Sequence, residues 1–245
     1  MNNFTDKKSC MNFLEYDDYI YDNNFSADLH VKYYKTNKII EKKDYLRELL
    51  LNKKIIDLGF TDHFEIIDER IKNKTWVHAD YRSWSSDILG VDINEKAINY
   101  IKEKLKFDDI YYHDITSPVL LQPILEKQWD YLIMSEVLEH IPDPALFLKK
   151  IKENYGNNIN RIIITVPNAF GAITLRSVFK NVERINSDHK FWFTPYTLAK
   201  VAVSAGLKVE EFCLCNSYYK LNFWERMLIK RSPLFHHTLA MVVKL

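Results

Sequence analysis

The chain is poor in cysteine and has no long apolar run. Its three cysteines, Cys10, Cys213 and Cys215, form no Cys-x-x-Cys pair and no disulfide framework, which favours a reduced, cytoplasmic protein. No apolar run reaches the roughly 20 residues that span a bilayer. Residues 1–10 also lack the apolar stretch of a signal peptide. The sequence therefore predicts no transmembrane segment and no secretion.

An excess of positive charge is also missing. Lys and Arg total 34 and Asp and Glu total 33, so the chain as a whole has no field that would attract a nucleic-acid backbone or an anionic membrane. We therefore expect no nucleic-acid partner, while a small local basic patch stays compatible with this balance. With 245 residues, 47% of them hydrophobic, the chain can bury one sizeable core.

Short apolar segments of strand length alternate with helical patterns along most of the chain. The segments that predict strands are 53–58, 86–92, 109–114, 129–135, 161–166, 207–215 and 238–245. The patterns that predict helices are 62–73, 95–106, 144–154 and 195–205. This alternation is typical of an α/β fold in which helices cover both faces of a mainly parallel sheet.

Two segments stand outside this alternation. Residues 1–45 are rich in Tyr, Asp, Asn and Lys, and we expect a cap over the sheet edge or a lid that shapes a pocket. Residues 46–245 then form a single domain. Segment 218–236 combines aromatic and basic residues, and we expect it to be covered core or a homodimer contact rather than a helix on a membrane surface.

A glycine and two aspartates follow the first three predicted strands. Gly59, one of only five glycines, has no Cβ and lets the backbone pass close to a bound small molecule. Asp92 ends the second strand, where a carboxylate can accept hydrogen bonds from ribose hydroxyls. Asp114 ends the third strand, where it can meet an adenine amino group. A single Asp at a strand end is more often a helix cap or a turn former, so the order of these residues is more informative than any one of them.

The most informative segment is WDYLIMSEVLEH, residues 129–140, in which an apolar strand ends at Ser135. The pattern predicts that a helix follows and that it presents Glu136, Glu139 and His140 on one face. The carboxyl end of a strand is where an open α/β sheet holds its ligand. Two carboxylates and an imidazole at that position could bind a metal or transfer a proton.

In sequence and order, the motifs IIDLGF, GVDIN, HDIT and WDYLIMSEVLEHIPDP resemble those of the class I S-adenosylmethionine-dependent methyltransferases, over about residues 50–215. The resemblance implies a Rossmann-like seven-stranded sheet with the last strand antiparallel, and S-adenosylmethionine as the cofactor. The cofactor-binding residues that it implies are Asp57, Gly59 and Ser135 at the methionine, Asp92 at the ribose with Ile93 beside it, and Asp114 and Ile115 at the adenine. The chain departs from the family's Gly-x-Gly-x-Gly loop, because DLGFTDHFE keeps only Gly59.

Within that family, EVLEH is similar to the Glu-x-x-Glu-His of the metal-dependent 2′-O-methyltransferases of small-RNA 3′ ends and of the ubiquinone-pathway O-methyltransferases. The further histidine of those enzymes corresponds to His189 in SDHKFWFTPYTL. The resemblance implies a catalytic set of Glu136, Glu139, His140 and His189. This set either holds a Mg, Mn or Zn ion or acts through His140 as a general base.

These observations lead to three functional hypotheses. The first is an O-methyltransferase that acts on a hydroxyl of a small polar metabolite, such as a sugar or nucleotide sugar of bacterial surface polysaccharides. The second is an RNA 2′-O-methyltransferase, which the near-neutral charge disfavours. The third is a non-catalytic partner protein with the same fold, which the glycine-poor loop suggests.

Overall fold

A computed structural model describes residues 14–33, 38–61, 64–217 and 220–245. The strands of this part of the chain are β1 (Lys54–Leu58), β2 (Asp87–Asp92), β3 (Ile110–Tyr112), β4 (Trp129–Ser135), β5 (Ile159–Pro167), β6 (Lys208–Cys215) and β7 (Thr238–Lys244). The helices are α1 (Asp17–Ile20), α2 (Lys42–Leu50), α3 (Phe64–Lys72), α4 (Val77–Trp84), α5 (Glu95–Leu105), α6 (Gln122–Leu125), α7 (Pro144–Tyr155), α8 (Ala172–Val178), α9 (Pro195–Ser204) and α10 (Phe223–Arg231). Single 3₁₀ turns lie at Leu14–Tyr16, Leu138–His140 and Pro233–Phe235. None of the helices among these residues is long and apolar enough to cross a membrane.

The strands form one sheet in the order β3-β2-β1-β4-β5-β7-β6. The pairs from β3 through β5 are parallel, whereas β7 lies antiparallel between β5 and β6. The expected Rossmann-like α/β sheet with an antiparallel last strand is therefore confirmed. Its topology places the carboxyl ends of the parallel strands at one edge, where such sheets bind ligands.

Helices cover both faces of the sheet. On β5, Ile162 and Ile164 pack with the core that contains α7 and α9, whereas Ile163 points to the opposite core with α2 and α4. Side chains alternate between the two faces of a strand, and parallel strands buried on both faces have nearly continuous apolar sequences. This explains why the run IIITV is a strand although it shows no polar alternation.

The helix expected to begin at Glu136 is not formed, and that prediction was wrong. Glu136 has a φ of +58°, in the left-handed region, and only a 3₁₀ turn over Leu138–His140 follows. The backbone N–H of Glu136 donates to the carbonyl of Thr165 at 2.9 Å, which extends the pairing of β4 with β5 by one residue. A left-handed residue cannot begin a right-handed helix, so the three polar residues are grouped by a tight turn instead.

Other boundaries differ by a few residues. The predicted third strand is shorter, Ile110–Tyr112, so Asp114 lies beyond its end. Helix α4 was not predicted. Residues 62–63 of the first predicted helix lie outside the described residues, and α3 begins at Phe64.

The described part of segment 1–45 packs closely onto the rest of the protein. Ile20 of α1 is buried in the main core, and the carbonyl of Tyr19 accepts hydrogen bonds from Tyr196 and Lys200 of α9. Helix α2 crosses the predicted boundary at residue 45 and buries Leu46 against the sheet. Residues 1–13 and 34–37 lie outside the described residues, so the lid remains a prediction.

Candidate active site

The ends of β4 and β5 bring the first polar groups together. The hydroxyls of Ser135 and Thr165 lie 3.0 Å apart in neighbouring strands. The Thr165 hydroxyl also donates to Glu136 Oε1 at 3.2 Å. Thr165 is fully buried, and these contacts fix the direction of the chain as it leaves β4.

Gly59 faces Val137 where β1 ends. Its φ is +78°, and a Cβ added there would lie 2.5 Å from Val137 Cγ2. Glycine is needed both for the left-handed backbone and for this close approach. The space above Gly59, expected from the sequence to serve a ligand, holds the Val137 side chain from the turn after β4.

The Asp57 side chain lies inside the protein against α4. Its carboxylate and His78 Nδ1 share a hydrogen bond of 2.7 Å, and both residues are buried. Burial raises the pKa of the Asp57 carboxyl, while the hydrogen bond from His78 opposes that rise. Contact of Asp57 with the cofactor stays a prediction. His78 was not among the predicted site residues.

The Asp92 carboxylate organises the loops at the end of β2. Oδ2 accepts hydrogen bonds from the backbone N–H and the hydroxyl of Thr61, at 3.0 and 2.9 Å. Oδ1 accepts one from the N–H of Asn94 at 2.9 Å. Asp92 thus links the loop after β1 to the start of α5. The neighbouring Ile93 is 71% exposed, as a residue that packs against a bound cofactor would be.

Asp114 and Ile115 lie just beyond β3 and differ in exposure. Asp114 is exposed and its Oδ1 accepts hydrogen bonds from the N–H and hydroxyl of Thr116, so it forms a turn. Ile115 is buried in the main core. The predicted adenine contacts of both residues remain predictions.

Three of the four predicted catalytic residues form a compact cluster, which we call the Glu-His-His cluster: Glu139, His140 and His189. One ligand atom from each lies within 4.8 Å of the others, and the two imidazole rings are perpendicular with centroids 4.7 Å apart. Lys190 holds the cluster together, because its N–H donates to the carbonyl of Glu139 at 2.8 Å and its Nζ to that of His140 at 2.7 Å. The structure thereby brings His189 to the turn after β4.

Glu139 is the most unusual member of the cluster. It is fully buried, and neither carboxylate oxygen has a hydrogen-bond partner among the described residues. His189 Nε2 lies 3.8 Å from its Oε1. Burial, and secondarily the negative charge of Glu136, raises the pKa of Glu139 to about 9. Buried carboxylates without partners are rare, so Glu139 is placed to bind a cation or to keep a proton.

The imidazole of His189 is the second donor of the cluster. Burial, and next the neighbouring His140, lowers its pKa, so the ring stays neutral with a lone pair available. One carboxylate and two imidazoles form a donor set that suits a divalent transition metal such as Zn²⁺ or Mn²⁺. The residues present therefore fit a divalent cation.

Glu136 lies beside the cluster and has a different partner. Its Oε1 accepts a hydrogen bond from Lys42 Nζ at 2.6 Å. The Lys42 side chain is only 5% exposed, so this ion pair is shielded from water on the lysine side. Nothing in the sequence indicated this contact, because Lys42 precedes Glu136 by 94 residues.

A cavity of about 420 Å³, which we call the acceptor cavity, opens next to the cluster. It includes Glu136 and His189, and the rest of its lining comes from the chain after β5, from Ser217 after β6 and from the start of β7. Its lining residues are Glu136, Pro167, Asn168, Gly171, Ile173, Thr174, Arg184, Ile185, Asn186, His189, Trp192, Ser217, His237 and Thr238. Of these, only Glu136 and His189 were predicted, because loop residues after a strand follow no readable pattern.

Buried Asn168 shapes one wall of this cavity. Its Nδ2 donates to the carbonyls of Leu234 and His236, each at 2.7 Å, and its Oδ1 accepts from the N–H of Phe170 at 3.1 Å. These bonds join the loop after β5 to the turn before β7. The cavity is therefore a preformed part of the fold.

The sheet order, the antiparallel β7 and the polar residues after β1, β2 and β4 together define a class I S-adenosylmethionine-dependent methyltransferase. A family model described as a methyltransferase domain matches residues 37–211. The chain belongs to this family, and its cofactor is accordingly S-adenosylmethionine. No curated protein matches the chain.

Solved structures with a similar fold include other methyltransferases. The small RNA methyltransferase HEN1 is 17% identical with a TM-score of 0.54, over 89% of this chain and 27% of the HEN1 chain. A bacterial Hen1 methyltransferase domain is 19% identical with a TM-score of 0.48, over 79% of this chain and 90% of that one. An S-adenosylmethionine-dependent methyltransferase from Clostridium acetobutylicum is 15% identical with a TM-score of 0.48, over 96% and 99% of the two chains. This chain spans little more than a quarter of HEN1, and at such identities the likeness concerns the fold alone.

Proposed function

We propose that this methyltransferase transfers the methyl group of S-adenosylmethionine to a hydroxyl of a small polar metabolite. The observation that carries the proposal is the acceptor cavity, which shares Glu136 and His189 with the polar groups after β4. It lies at the sheet edge where the family binds its cofactor. An acceptor in this cavity would have a hydroxyl beside a carboxylate and an imidazole.

The size and lining of the cavity suit a polar acceptor of modest size. Its volume of about 420 Å³ lies in the range of about 300–1,000 Å³ that is common for small-molecule sites. Thr174, Arg184 and Asn186 offer hydrogen-bonding groups from the segment after β5. A sugar, with several hydroxyls on a compact ring, matches this lining, and so does the sugar part of a nucleotide sugar.

O-Methylation requires the acceptor hydroxyl to lose its proton and to lie in line with the sulfonium methyl. His189 lines the cavity, and burial lowers the pKa of its imidazole, so the neutral ring can accept that proton. His140, the base expected from sequence, does not belong to the lining. We therefore assign the role of general base to His189. Glu139 and His140 are its neighbours in the Glu-His-His cluster.

A divalent cation is the alternative source of activation. Glu139, His140 and His189 would hold it, since the unpartnered carboxylate of Glu139 needs a cation or a proton. When bound, such an ion lowers the pKa of a hydroxyl that contacts it. The remaining residues act in the same way in both versions: the cavity orients the acceptor, and Glu136 is held by Lys42.

Chelator treatment separates the two versions. If a cation takes part, the chelator abolishes methyl transfer, and Mg²⁺, Mn²⁺ or Zn²⁺ restores it. If His189 acts alone as the base, activity is unchanged by the chelator, and elemental analysis finds no metal. In both versions the His189→Ala variant loses at least about 100-fold in kcat while its affinity for S-adenosylmethionine is unchanged. Unchanged activity of this variant would contradict the proposed site.

RNA 2′-O-methylation is a second candidate, favoured by the clustering of the residues that resemble the set of the small-RNA enzymes. The overall charge of +1 disfavours it. Failure of the protein to bind single-stranded RNA at low salt would eliminate this candidate. A non-catalytic role would instead show itself by the absence of S-adenosylmethionine binding in calorimetry.

A further inference from the structure

A second cavity of about 260 Å³ adjoins the acceptor cavity, and we call it the basic cavity. Its lining residues are Ile173, Arg176, Ser177, Lys180, Arg184 and Glu225. Ile173 and Arg184 line both cavities. A molecule in the acceptor cavity could therefore extend past Arg184 into the basic cavity.

The end of α8 brings three positive charges to the basic cavity. Arg176 lies in the last turn of α8, and Lys180 follows the helix. Asn181 then adopts a left-handed conformation with a φ of +53°, and the N–H of Val182 donates to the carbonyl of Ser177 at 3.0 Å. This turn folds the chain back, so that Arg184 faces the same cavity as Arg176.

Within the described part of the chain, these three cations outnumber Glu225, the one acidic residue of the lining. None of them forms an ion pair or a side-chain hydrogen bond with any residue in the described ranges. The acidic residue of the lining, Glu225, is buried, and its Oε2 accepts from the N–H of Asn222 at the start of α10. Glu183, the acid closest in sequence, accepts a hydrogen bond from Trp192 instead.

Three unpaired cations around one cavity repel each other, and an anion with more than one charge would relieve that repulsion. Arginine presents a planar set of donors that matches phosphate oxygens, and lysine adds a mobile point charge. We propose that the basic cavity binds the phosphate or diphosphate group of the acceptor, so that the substrate is a phosphorylated metabolite such as a nucleoside-diphosphate sugar. This inference rests on the proposed function for the position of the methylated hydroxyl.

The two cavities would orient such a substrate. Glu136, whose charge is paired with Lys42, lies at the Glu-His-His end of the acceptor cavity, and positive charge lies beyond Arg184 at the other end. A substrate with a hydroxyl at one end and a phosphate at the other would bind in one direction only. The chain has an overall charge of only +1, so this is a local arrangement rather than a general attraction of anions.

The test is calorimetric titration of the full chain with inorganic pyrophosphate and with uridine diphosphate. We expect both to bind the unaltered protein, and the triple variant Arg176→Ala, Lys180→Ala, Arg184→Ala to bind them roughly tenfold or more weakly. A control variant, Lys149→Ala with Lys150→Ala, removes two exposed lysines from α7, which line neither cavity. It should bind like the unaltered protein. All three replaced residues of the triple variant are exposed, so its thermal unfolding should be unchanged.

Absence of pyrophosphate binding, or equal binding by the triple variant, would overturn the inference. Vesicles containing phosphatidylglycerol distinguish the source of the phosphate. Binding of soluble pyrophosphate supports a free phosphorylated metabolite. Binding of vesicles alone, lost in the triple variant, would also overturn the inference, because the phosphate would then be carried on a lipid. Binding of single-stranded RNA in preference to both ligands would overturn a small-molecule acceptor.

Titration of the same samples with S-adenosylmethionine separates this inference from the proposed function. If the cofactor binds and pyrophosphate does not, the basic cavity alone has been misinterpreted. If the cofactor does not bind, the proposed function fails whatever happens with pyrophosphate. The variant Arg184→Lys keeps the charge but loses the planar donor set, so it should bind pyrophosphate more tightly than Arg184→Ala and more weakly than the unaltered protein.

Discussion

Replacement of Gly59 by alanine should destabilise the protein for two separable reasons. The residue has a φ of +78°, and a left-handed conformation costs a residue with a Cβ about 1–2 kcal/mol. The new Cβ would also lie 2.5 Å from Val137 Cγ2, well inside the usual carbon–carbon contact of about 3.5–4.0 Å. Relief of such an overlap in a packed region costs about 1–3 kcal/mol more. We therefore expect Gly59→Ala to lower the free energy of unfolding by about 2–5 kcal/mol.

Gly206 provides a matched control. Its φ is +77°, but the nearest atom to an added Cβ is Lys152 Nζ at 3.8 Å, so Gly206→Ala should show the backbone cost of about 1–2 kcal/mol alone. The Val137→Ala variant removes the overlapping methyl group and leaves a Cβ 3.8 Å from the added atom. In the Gly59→Ala background, it should therefore recover about 1–3 kcal/mol.

Urea unfolding of the unaltered protein, the three single variants and the double variant, with linear extrapolation to water, measures these differences. The reasoning would be refuted if Gly59→Ala cost no more than Gly206→Ala, or if Val137→Ala gave no recovery. Either result would mean that the turn after β4 does not press against the end of β1.

Three further predictions concern the surroundings of the site. Lys42→Met should lower the free energy of unfolding by about 1–3 kcal/mol in urea unfolding, because Glu136 loses its shielded partner. A smaller loss from Lys42→Met in a protein that also carries Glu136→Gln would confirm the pairing. Burial lowers the pKa of His236, so the folded state takes up a proton less readily than the unfolded state. The free energy of unfolding should then fall as the pH drops below about 6.5. In His236→Gln this fall between pH 7.5 and 5.5 should be shallower. An identical dependence on pH in the two proteins would contradict this. Asn168→Ala should cost about 2–4 kcal/mol in urea unfolding, because one buried and one part-buried carbonyl lose their donor, and an unchanged midpoint would show that the wall of the cavity does not depend on it.

The fold was predictable where burial determined the local sequence. The segment WDYLIMS coincides with β4, and the run IIITV lies within β5, because strands covered on both faces need apolar residues at successive positions. The grouping of Glu139 with His140 followed from their local spacing, whereas the addition of His189 followed from a family resemblance.

The conformation and partners of Glu136 could not be predicted. Its left-handed backbone depends on a hydrogen bond to Thr165 in the neighbouring strand, and its partner Lys42 comes from a distant helix. Both are consequences of tertiary packing, and they override the helical spacing of the polar residues. The same holds for the basic cavity, because Arg184 reaches it only through the turn at Asn181.

The most direct test of the proposed reaction is transfer of a ¹³C-labelled methyl group from S-adenosylmethionine to a panel of sugars and nucleoside-diphosphate sugars, followed by NMR of the products. The account predicts a labelled methyl on oxygen in a member of the panel, which disappears in His189→Ala and persists in the Lys149→Ala, Lys150→Ala control. A labelled methyl on nitrogen or carbon, or an oxygen-linked product that His189→Ala forms equally well, would contradict it.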